Sequence, residues 1–357
     1  MNTAKRYVAP APAGLFDTEF RMEEIQRMGD PLSRLEEIMD WDVFSPVLDR
    51  IPRVEPKGPG GRPAFPPMFM LKILVLQSLY GLGDEQTQFQ ILDRHSFSRF
   101  LGLTDADTVP DQNTIREFRE KLTKAGLMDE LFKVFDTRLN ERGFITHKGQ
   151  IIDATFVEVP RQRNTREENE AVKSGKVPDG WGQDEKKLAH KDLDARWTKK
   201  NEETFYGYKD HVVVDMESKL ITRAEVTSAS PHDSQSLDDL TQEGDPDTWA
   251  DSAYSGQPCQ EILDAKKITG HICEKGTRGH PLTARQKRSN RAKSRKRSRG
   301  EHVFGFMTGS MNALFQRCVG MVRNRACIIL ANLTYNIARV EQIIRLKLFG
   351  KQTPALA

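Results

Sequence analysis

The fold of this chain is decided by the stretch Ile151-Ile152-Asp153-Ala154-Thr155. It lies in a β-branched and apolar run, residues 150–159, that follows a long segment of helical periodicity. Such a run predicts a β-strand. A carboxylate inside an apolar strand is costly to bury unless it is paired or binds a metal. Asp153 is therefore a candidate functional residue, and the alternative is a strand-end or turn aspartate at the surface.

Two later stretches carry acids in a comparable setting. Asp251 interrupts the apolar run 249–254, and Glu301 follows a run of positive charge and opens an amphipathic segment. Three carboxylates that converge would form an oxygen-rich site for Mg2+, the metal that acts on phosphates through carboxylate ligands. The alternative for Glu301 is a solvent-exposed glutamate that is stabilised by the dipole at a helix start.

Positive charge is concentrated in one segment. The whole chain has 54 Lys and Arg against 51 Asp and Glu, so its net charge of +3 does not by itself indicate a nucleic-acid partner. Residues 285–299, however, contain nine Lys or Arg and no acid. Such a run is often a solvated face, but this one leads directly to Glu301, which favours contact with DNA phosphates. The candidate contacts are Arg291, Lys293, Arg295, Lys296, Arg297 and Arg299.

Cysteine usage and hydropathy predict the compartment. The four cysteines have no metal-ligand spacing, which predicts reduced intracellular thiols. The longest apolar run, residues 68–82, is interrupted by Lys72 and Gln77 and is shorter than the roughly 20 residues of a membrane span. No signal peptide opens the sequence. We therefore expect a soluble, cytoplasmic protein that does not enter a membrane.

The N-terminal part reads as helical. Residues 1–66 predict a loose arm, short helices and a turn-rich linker, and residues 67–145 predict a helical domain that ends before the first strand. Its helices are expected at 84–93, at 95–101, from the cap Asp111 onward, and at 126–141. The helix after Asp111 has the character of a recognition helix, with Arg116 and Arg119 as candidate DNA contacts. The alternative is a helical bundle that packs or dimerises.

The part that follows predicts a mixed α/β layout. The charged segment 161–203, which holds several glycines, is interpreted as an insertion or loop. Two strands at 204–214 and 219–227 should form a hairpin. Further elements are expected as short strands at 248–251 and 268–273, a short helix at 233–240, and helices at 258–267, 301–319 and 321–348. This succession is compatible with a ribonuclease-H-like fold, although spacing alone does not select it.

A succession of five motifs makes the sequence recognisable. They are Ile-Ile-Asp-Ala-Thr (151–155), Tyr-Gly-Tyr-Lys-Asp-His (206–211), Val-Thr-Ser-Ala-Ser-Pro-His-Asp-Ser (226–234), Ala-Asp-Ser-Ala-Tyr-Ser-Gly (250–256), and Arg297 followed by Glu-His-Val-Phe-Gly (301–305). In this order they resemble bacterial insertion-sequence transposases, most closely the DDE enzymes of the insertion-sequence-five group. Residues 67–119 also resemble the helical domain that precedes the catalytic core in these enzymes. Together the matching stretches cover about residues 30–340.

The resemblance implies the architecture and the site. A ribonuclease-H-like catalytic domain would span 146–320 and a C-terminal helix and tail 321–357. The catalytic triad and metal ligands would be Asp153, Asp251 and Glu301, with Mg2+ as the cofactor and Mn2+ as a substitute.

Around the glutamate the sequence departs from the broader family. That family has a Tyr, an Arg and a downstream Lys there. Arg297 stands at the expected offset, but Ser294 and Thr308 occupy the other two positions. The family's DNA contacts at those two positions therefore do not carry over to this chain.

The function implied by the resemblance is transposition. The protein would bind the terminal inverted repeats of its own element as double-stranded DNA, and would cleave and join strands as a homo-oligomer. Tyr254 and Lys209 are further candidate DNA contacts beside the site. The alternatives are a nuclease of the same fold without strand transfer, and a catalytically inactive DNA-binding repressor.

Overall fold

The computed structural model describes residues 14–52, 63–104, 106–200, 202–350 and 353–356. The predicted loose arm and the turn-rich linker lie largely outside these ranges. Among the described residues, no helix is long and apolar enough to cross a membrane.

All the secondary-structure elements in the described N-terminal part are helices. They are α1 (Asp17–Met28), α2 (Pro31–Ile38), α3 (Ser45–Leu48), α4 (Pro67–Leu79), α5 (Asp84–Asp93), α6 (His95–Phe100), α7 (Gln112–Lys124) and α8 (Leu127–Glu141), with a 3-10 turn at Trp41–Phe44. The predicted cap at Asp111 is confirmed, because its carboxylate accepts a hydrogen bond from a backbone amide in the first turn of α7. Asp30 caps α2 in the same way. The helices predicted at 84–93, 95–101 and 126–141 are found within one residue of their expected ends.

A mixed six-stranded sheet follows the helices. Its strands are β1 (Gln150–Glu158), β2 (Arg196–Lys200), β3 (Glu203–Asp215), β4 (Ile221–Ser228), β5 (Thr248–Ala250) and β6 (Gly270–Ile272). The order is β2-β3-β1-β5-β6, and β4 pairs with β3. β1 is antiparallel to β3 and parallel to β5, and β5 is parallel to β6. This α/β sheet with a preceding helical part confirms the predicted fold class.

The segment 161–203, interpreted as an insertion or loop, is in part regularly structured. The segment contains α9 (Arg166–Lys173), α10 (Glu185–Ala189) and the edge strand β2. Thr165 and Glu168 form a capping box at the start of α9. The buried Trp181 donates its indole hydrogen to Glu168 at 2.7 Å. The buried ring of Trp181 thereby connects the start of α9 to the chain before α10. The apolar residues of this highly charged segment show no helical or strand periodicity from which these elements could be predicted.

One of the C-terminal helices, α14, is shorter than predicted. They are α11 (Leu237–Leu240), α12 (Gln257–Ala265), α13 (Ala284–Arg297), α14 (Glu301–Gly309) and α15 (Met321–Arg345). The helix expected over 301–319 ends at Gly309. Beyond it the chain extends along the end of β1, where Glu158 pairs with Leu314 and Gln316 through backbone hydrogen bonds of 2.9 and 2.8 Å. The apolar residues of the predicted helix 301–319 do not all face the core: Val303 and Met307 are buried, whereas Phe315 is exposed.

Helix α15 lies between the helical part and the sheet. It packs against α4 and α8 and also against β4 and α14. Its buried Asn336 accepts from the amide of Ile221 and donates to the same residue's carbonyl, at 2.9 and 2.7 Å. The buried Asn332 donates to Asp210 on β3. These bonds satisfy buried polar groups and fix the helix to the sheet.

Candidate active site

Two of the predicted acids lie side by side at one end of the sheet. Ile152 on β1 pairs in parallel register with Ala250 on β5. Asp153 is the next residue of β1 and Asp251 directly follows β5, so both carboxylates leave neighbouring strands at the same level. The carboxylate of Asp251 accepts a 2.8 Å hydrogen bond from the amide of Ala253 and so caps a short 3-10 helix. The register of two parallel strands brings the two acids together.

Asp153 is held in an electrostatically unfavourable position. Its side chain is only 15% exposed. Burial raises its pKa, and the negative charge of Asp251 raises it further, whereas Arg297 and a hydrogen bond from the amide of Ala154 lower it. A buried carboxylate beside a second one is stabilised by any nearby cation. In this structure that cation is Arg297.

Arg297 links two of the candidate ligands. Its Nη1 donates to Oδ2 of Asp153 at 2.8 Å, and its Nη2 lies 4.0 Å from Oε1 of Glu301. The helix is interrupted between the two residues, yet they remain in contact. Gly300 allows this arrangement, because an added Cβ would lie 3.2 Å from Cγ2 of Ile151 and 3.3 Å from the Arg297 carbonyl oxygen. The start of α14 therefore rests directly on β1.

The donor set fits a magnesium ion in its chemistry. Carboxylate oxygens are the ligands that Mg2+ prefers, and the paired aspartates gain from a nearby positive charge. The Glu301 side chain is 64% exposed and points toward Arg297. Among the described residues no group of three acids, histidines or cysteines is close enough to hold one ion. The structure therefore brings Asp153 and Asp251 together and leaves Glu301 beside them, across Arg297.

The basic run forms helix α13, which ends at this site. Among the described residues, five of its cations are exposed and make no ion pair or hydrogen bond: Arg285, Lys287, Arg288, Arg291 and Arg295. Arg288, Arg291 and Arg295 have helical spacings of three and four, so they share one face. This face presents a row of free guanidinium groups on the side of α13 opposite Arg297, which contacts Asp153.

Three of the predicted DNA contacts have structural partners instead. Nζ of Lys293 donates to the carbonyl of Ile272 at 2.7 Å, and Nζ of Lys296 lies 4.3 Å from the ring of Trp249. Arg299 donates to the carbonyl of Met216. Lys293 and Lys296 hold α13 against the sheet, whereas Arg291 and Arg295 point away from it.

Two further predicted contacts are inside the protein. Tyr254 is 1% exposed and Lys209 is 7% exposed. Nζ of Lys209 donates to the carbonyl of Pro231 at 2.6 Å and to Asp233 at 2.7 Å. The ring of Tyr254 belongs to the apolar cluster on one face of the sheet. The structure therefore does not support direct DNA contact by either side chain, because both face the core.

The two arginines of α7 have different surroundings. Arg119 donates to Asp84 and to Gln77 and so joins α7 to α4 and α5. Its predicted role as a DNA contact is not supported, because these bonds occupy the guanidinium. Arg116 is exposed. Only Arg116 of this pair is available to an outside partner.

An aromatic pair on β1 and β3 was not predicted from the sequence. The rings of Phe156 on β1 and Phe205 on β3 stack with centroids 4.2 Å apart. Nζ of Lys200 lies 5.7 Å from the Phe156 ring, and its charge lowers the pKa of Asp153. Phe156 and Phe205 lie on strands that were predicted, but their contact is a tertiary relation that local periodicity does not encode. Lys200 lies on β2, which was interpreted as loop because its sequence, Arg-Trp-Thr-Lys-Lys, has no period-two alternation of apolar residues.

The layout defines a class of protein. Neighbouring aspartates at the ends of parallel central strands, with a glutamate on a later helix, characterise ribonuclease-H-like cores. Comparison with known families is consistent with this class and narrows it. The family described as Transposase DDE domain matches residues 145–337, more than half of the chain, and that described as Transposase domain (DUF772) matches residues 20–121.

The chain therefore belongs to the DDE transposases. The more specific resemblance to the insertion-sequence-five group stays a prediction, because both matched families are broader. No solved structure was found to match the chain.

Proposed function

We propose that this transposase cleaves and joins double-stranded DNA at the ends of its own element, with Asp153, Asp251 and Glu301 as the metal-binding triad. One observation carries the proposal. The parallel register of β1 and β5 places Asp153 and Asp251 together, at the end of a helix that presents free arginines. The helix whose end contacts the metal-binding acids thus carries, on its outer face, cations suited to phosphates.

The acids divide the work of binding the metal. Asp153 and Asp251 would hold Mg2+ or Mn2+ jointly, and Glu301 would complete the set. The bound metal would supply activation of an attacking water or 3′-hydroxyl and stabilisation of the leaving oxygen. Arg297 contributes positive charge at 2.8 Å from Asp153 and 4.0 Å from Glu301. It is the cation that lies between carboxylates of separate elements, and a metal would compete with it for Asp153.

The DNA would lie along α13. The face formed by Arg288, Arg291 and Arg295 suits a row of phosphates, because a guanidinium binds phosphate oxygens in a bidentate manner. Arg116 on α7 would provide a second contact. Two DNA ends must be cut and joined in concert, so we expect the protein to act as a homo-oligomer.

The decisive experiment is a strand cleavage and joining assay. A labelled duplex that carries the element's end is incubated with Mg2+ and wild-type protein, Asp251→Asn, or the matched control Asp264→Asn. Asp264 is an exposed aspartate on α12, where it accepts a hydrogen bond from Gln260. We expect cleaved and joined products with the wild type and the control, and neither with Asp251→Asn.

Other outcomes identify the alternatives. Cleavage without joining, in a reaction supplied with both ends and target DNA, would indicate a nuclease. Specific binding without metal-dependent chemistry in any of the three proteins would indicate an inactive repressor. Full activity of Asp251→Asn would contradict the assignment of the triad.

A further inference from the structure

Two cysteines face each other at the base of α15. Cys318 lies in the connection between α14 and α15, and Cys327 lies in the second turn of α15. Their sulfur atoms are 3.4 Å apart. Both residues are half-buried and line a cavity of about 600 Å3 that is also lined by Arg119. The pair is thus open to a small molecule.

The surroundings make one thiol the more acidic. A hydrogen bond from Cys327 lowers the pKa of Cys318 to about 7; burial opposes this effect and the charge of Arg119 adds to it. Of the other charged groups that face the pair, Arg323 lowers this pKa and Glu120 raises it. The pKa of Cys327 is raised, chiefly by its hydrogen bond to Cys318. Cys318 is therefore the nucleophile, since the thiolate is the reactive form.

We propose that Cys318 and Cys327 form a peroxide-reactive dithiol that closes to a disulfide. The Cys318 thiolate attacks one oxygen of hydrogen peroxide, the O–O bond breaks, and hydroxide leaves and takes up a proton to give water and a sulfenic acid. The Cys327 sulfur then attacks the sulfenic sulfur, and a second water leaves. The two thiols lose two protons and two electrons, and the peroxide is reduced to two waters.

The geometry permits the second step with a small movement. A disulfide bond is about 2.05 Å long, so the sulfurs must approach by roughly 1.4 Å. Cys318 lies in a non-helical connection, which can accommodate this shift more easily than a helix. The other cysteines offer no such route. Cys259 and Cys273 are buried, and Cys273 lies 3.8 Å from the hydroxyl of Ser294 rather than near a thiol.

Tryptic mapping tests the proposal directly on the full-length protein. Cleavage after Arg317, Arg323 and Arg325 places the two cysteines in separate peptides, 318–323 and 326–339. The protein is treated with a small excess of hydrogen peroxide, its free thiols are alkylated, and the digest is analysed without reduction. We expect these two peptides to be joined, while the peptides that hold Cys259 and Cys273 are recovered alkylated.

Variants distinguish the two steps. In Cys327→Ser, the sulfenic acid of Cys318 should persist and be trapped by dimedone; the matched control Cys273→Ser should form the disulfide as the wild type does. Circular dichroism verifies that each variant is folded, and the wild-type mapping does not depend on them. The proposal is overturned if wild-type Cys318 and Cys327 stay alkylatable after peroxide, or if Cys318 is linked to another cysteine or to a second chain. None of these outcomes depends on DNA cleavage.

Discussion

Removal of the free charges of α13 should weaken DNA binding in a manner that depends on salt. The test variant carries Arg288→Gln, Arg291→Gln and Arg295→Gln. All three side chains are exposed, share one helix face and, among the described residues, have no ion-pair partner. Glutamine keeps the helix propensity nearly unchanged, so α13 should still form. The variant therefore removes charge and little else.

The size of the effect follows from counterion release. Each phosphate contact contributes about 0.9 to the slope of log K against log salt, so three contacts contribute about 2.7. At 0.1 M salt the loss in affinity is then about 500-fold, and it shrinks toward none near 1 M. Between 50 and 200 mM salt the wild-type affinity should fall about 40-fold more than that of the variant.

The assay is fluorescence anisotropy with a labelled end duplex across a salt series. The matched control removes three exposed cations from other places, Lys133→Gln, Arg142→Gln and Lys347→Gln, and so changes the net charge equally. We expect the control to keep the wild-type slope. An unchanged slope in the α13 variant, or an equal loss in the control, would refute the assignment of α13 as the phosphate-binding helix.

Three further substitutions test the site and the fold. Arg297→Gln removes the cation that competes with a metal ion for the carboxylate of Asp153. The variant should bind Mn2+ about threefold more tightly, as measured by electron paramagnetic resonance. Weaker Mn2+ binding would show that the arginine does not compete with the metal. Burial raises the pKa of Asp136 from 3.8 to about 7. Between these two pH values the unfolded chain has lost the proton that the folded protein still holds, so the folded state becomes less stable as pH rises. The loss in the free energy of unfolding is about 4 kcal/mol once the group is ionised in both states. Asp136→Asn should thus raise the thermal midpoint at pH 8 but not at pH 4, and an equal shift at both pH values would contradict this account. Gly207→Ala should lower the free energy of unfolding by on the order of 3 kcal/mol in denaturant melts. The reason is that φ of Gly207 is +148° and an added Cβ would overlap the Val157 carbonyl oxygen. A variant as stable as the wild type would show that β1 and β3 can separate at this point.

The parts of the site that lie in strands could be predicted from sequence. The apolar runs around Asp153 and Asp251 require strands, and costly buried carboxylates are rarely accidental. Periodicity could not supply the parallel pairing of Ile152 with Ala250, which depends on a crossover between distant segments. It also gave no sign that Arg297 lies between Asp153 and Glu301. These relations are tertiary, and short-range patterns do not encode them.

Burial was the harder quantity to predict for polar side chains. Tyr254 and Lys209 were expected to contact DNA because they adjoin the motifs, yet both point inward and pack beneath the acids. The end of α14 was missed because residues 310–318 keep an apolar character while they pair with β1. In both cases a neighbouring element, absent from the local sequence, determines the outcome.

The position of helix α15 limits how transposases of this kind can exchange their N-terminal helices. One face of this helix packs against α4 and α8, and the other carries the asparagines that bind the sheet. A lineage that exchanged its N-terminal helices for those of a relative would place foreign side chains against half of α15. The N-terminal helices and the sheet that carries Asp153 are therefore expected to be inherited as a unit. Chimaeras intended to retarget the enzyme should include a matched α15 together with the N-terminal helices.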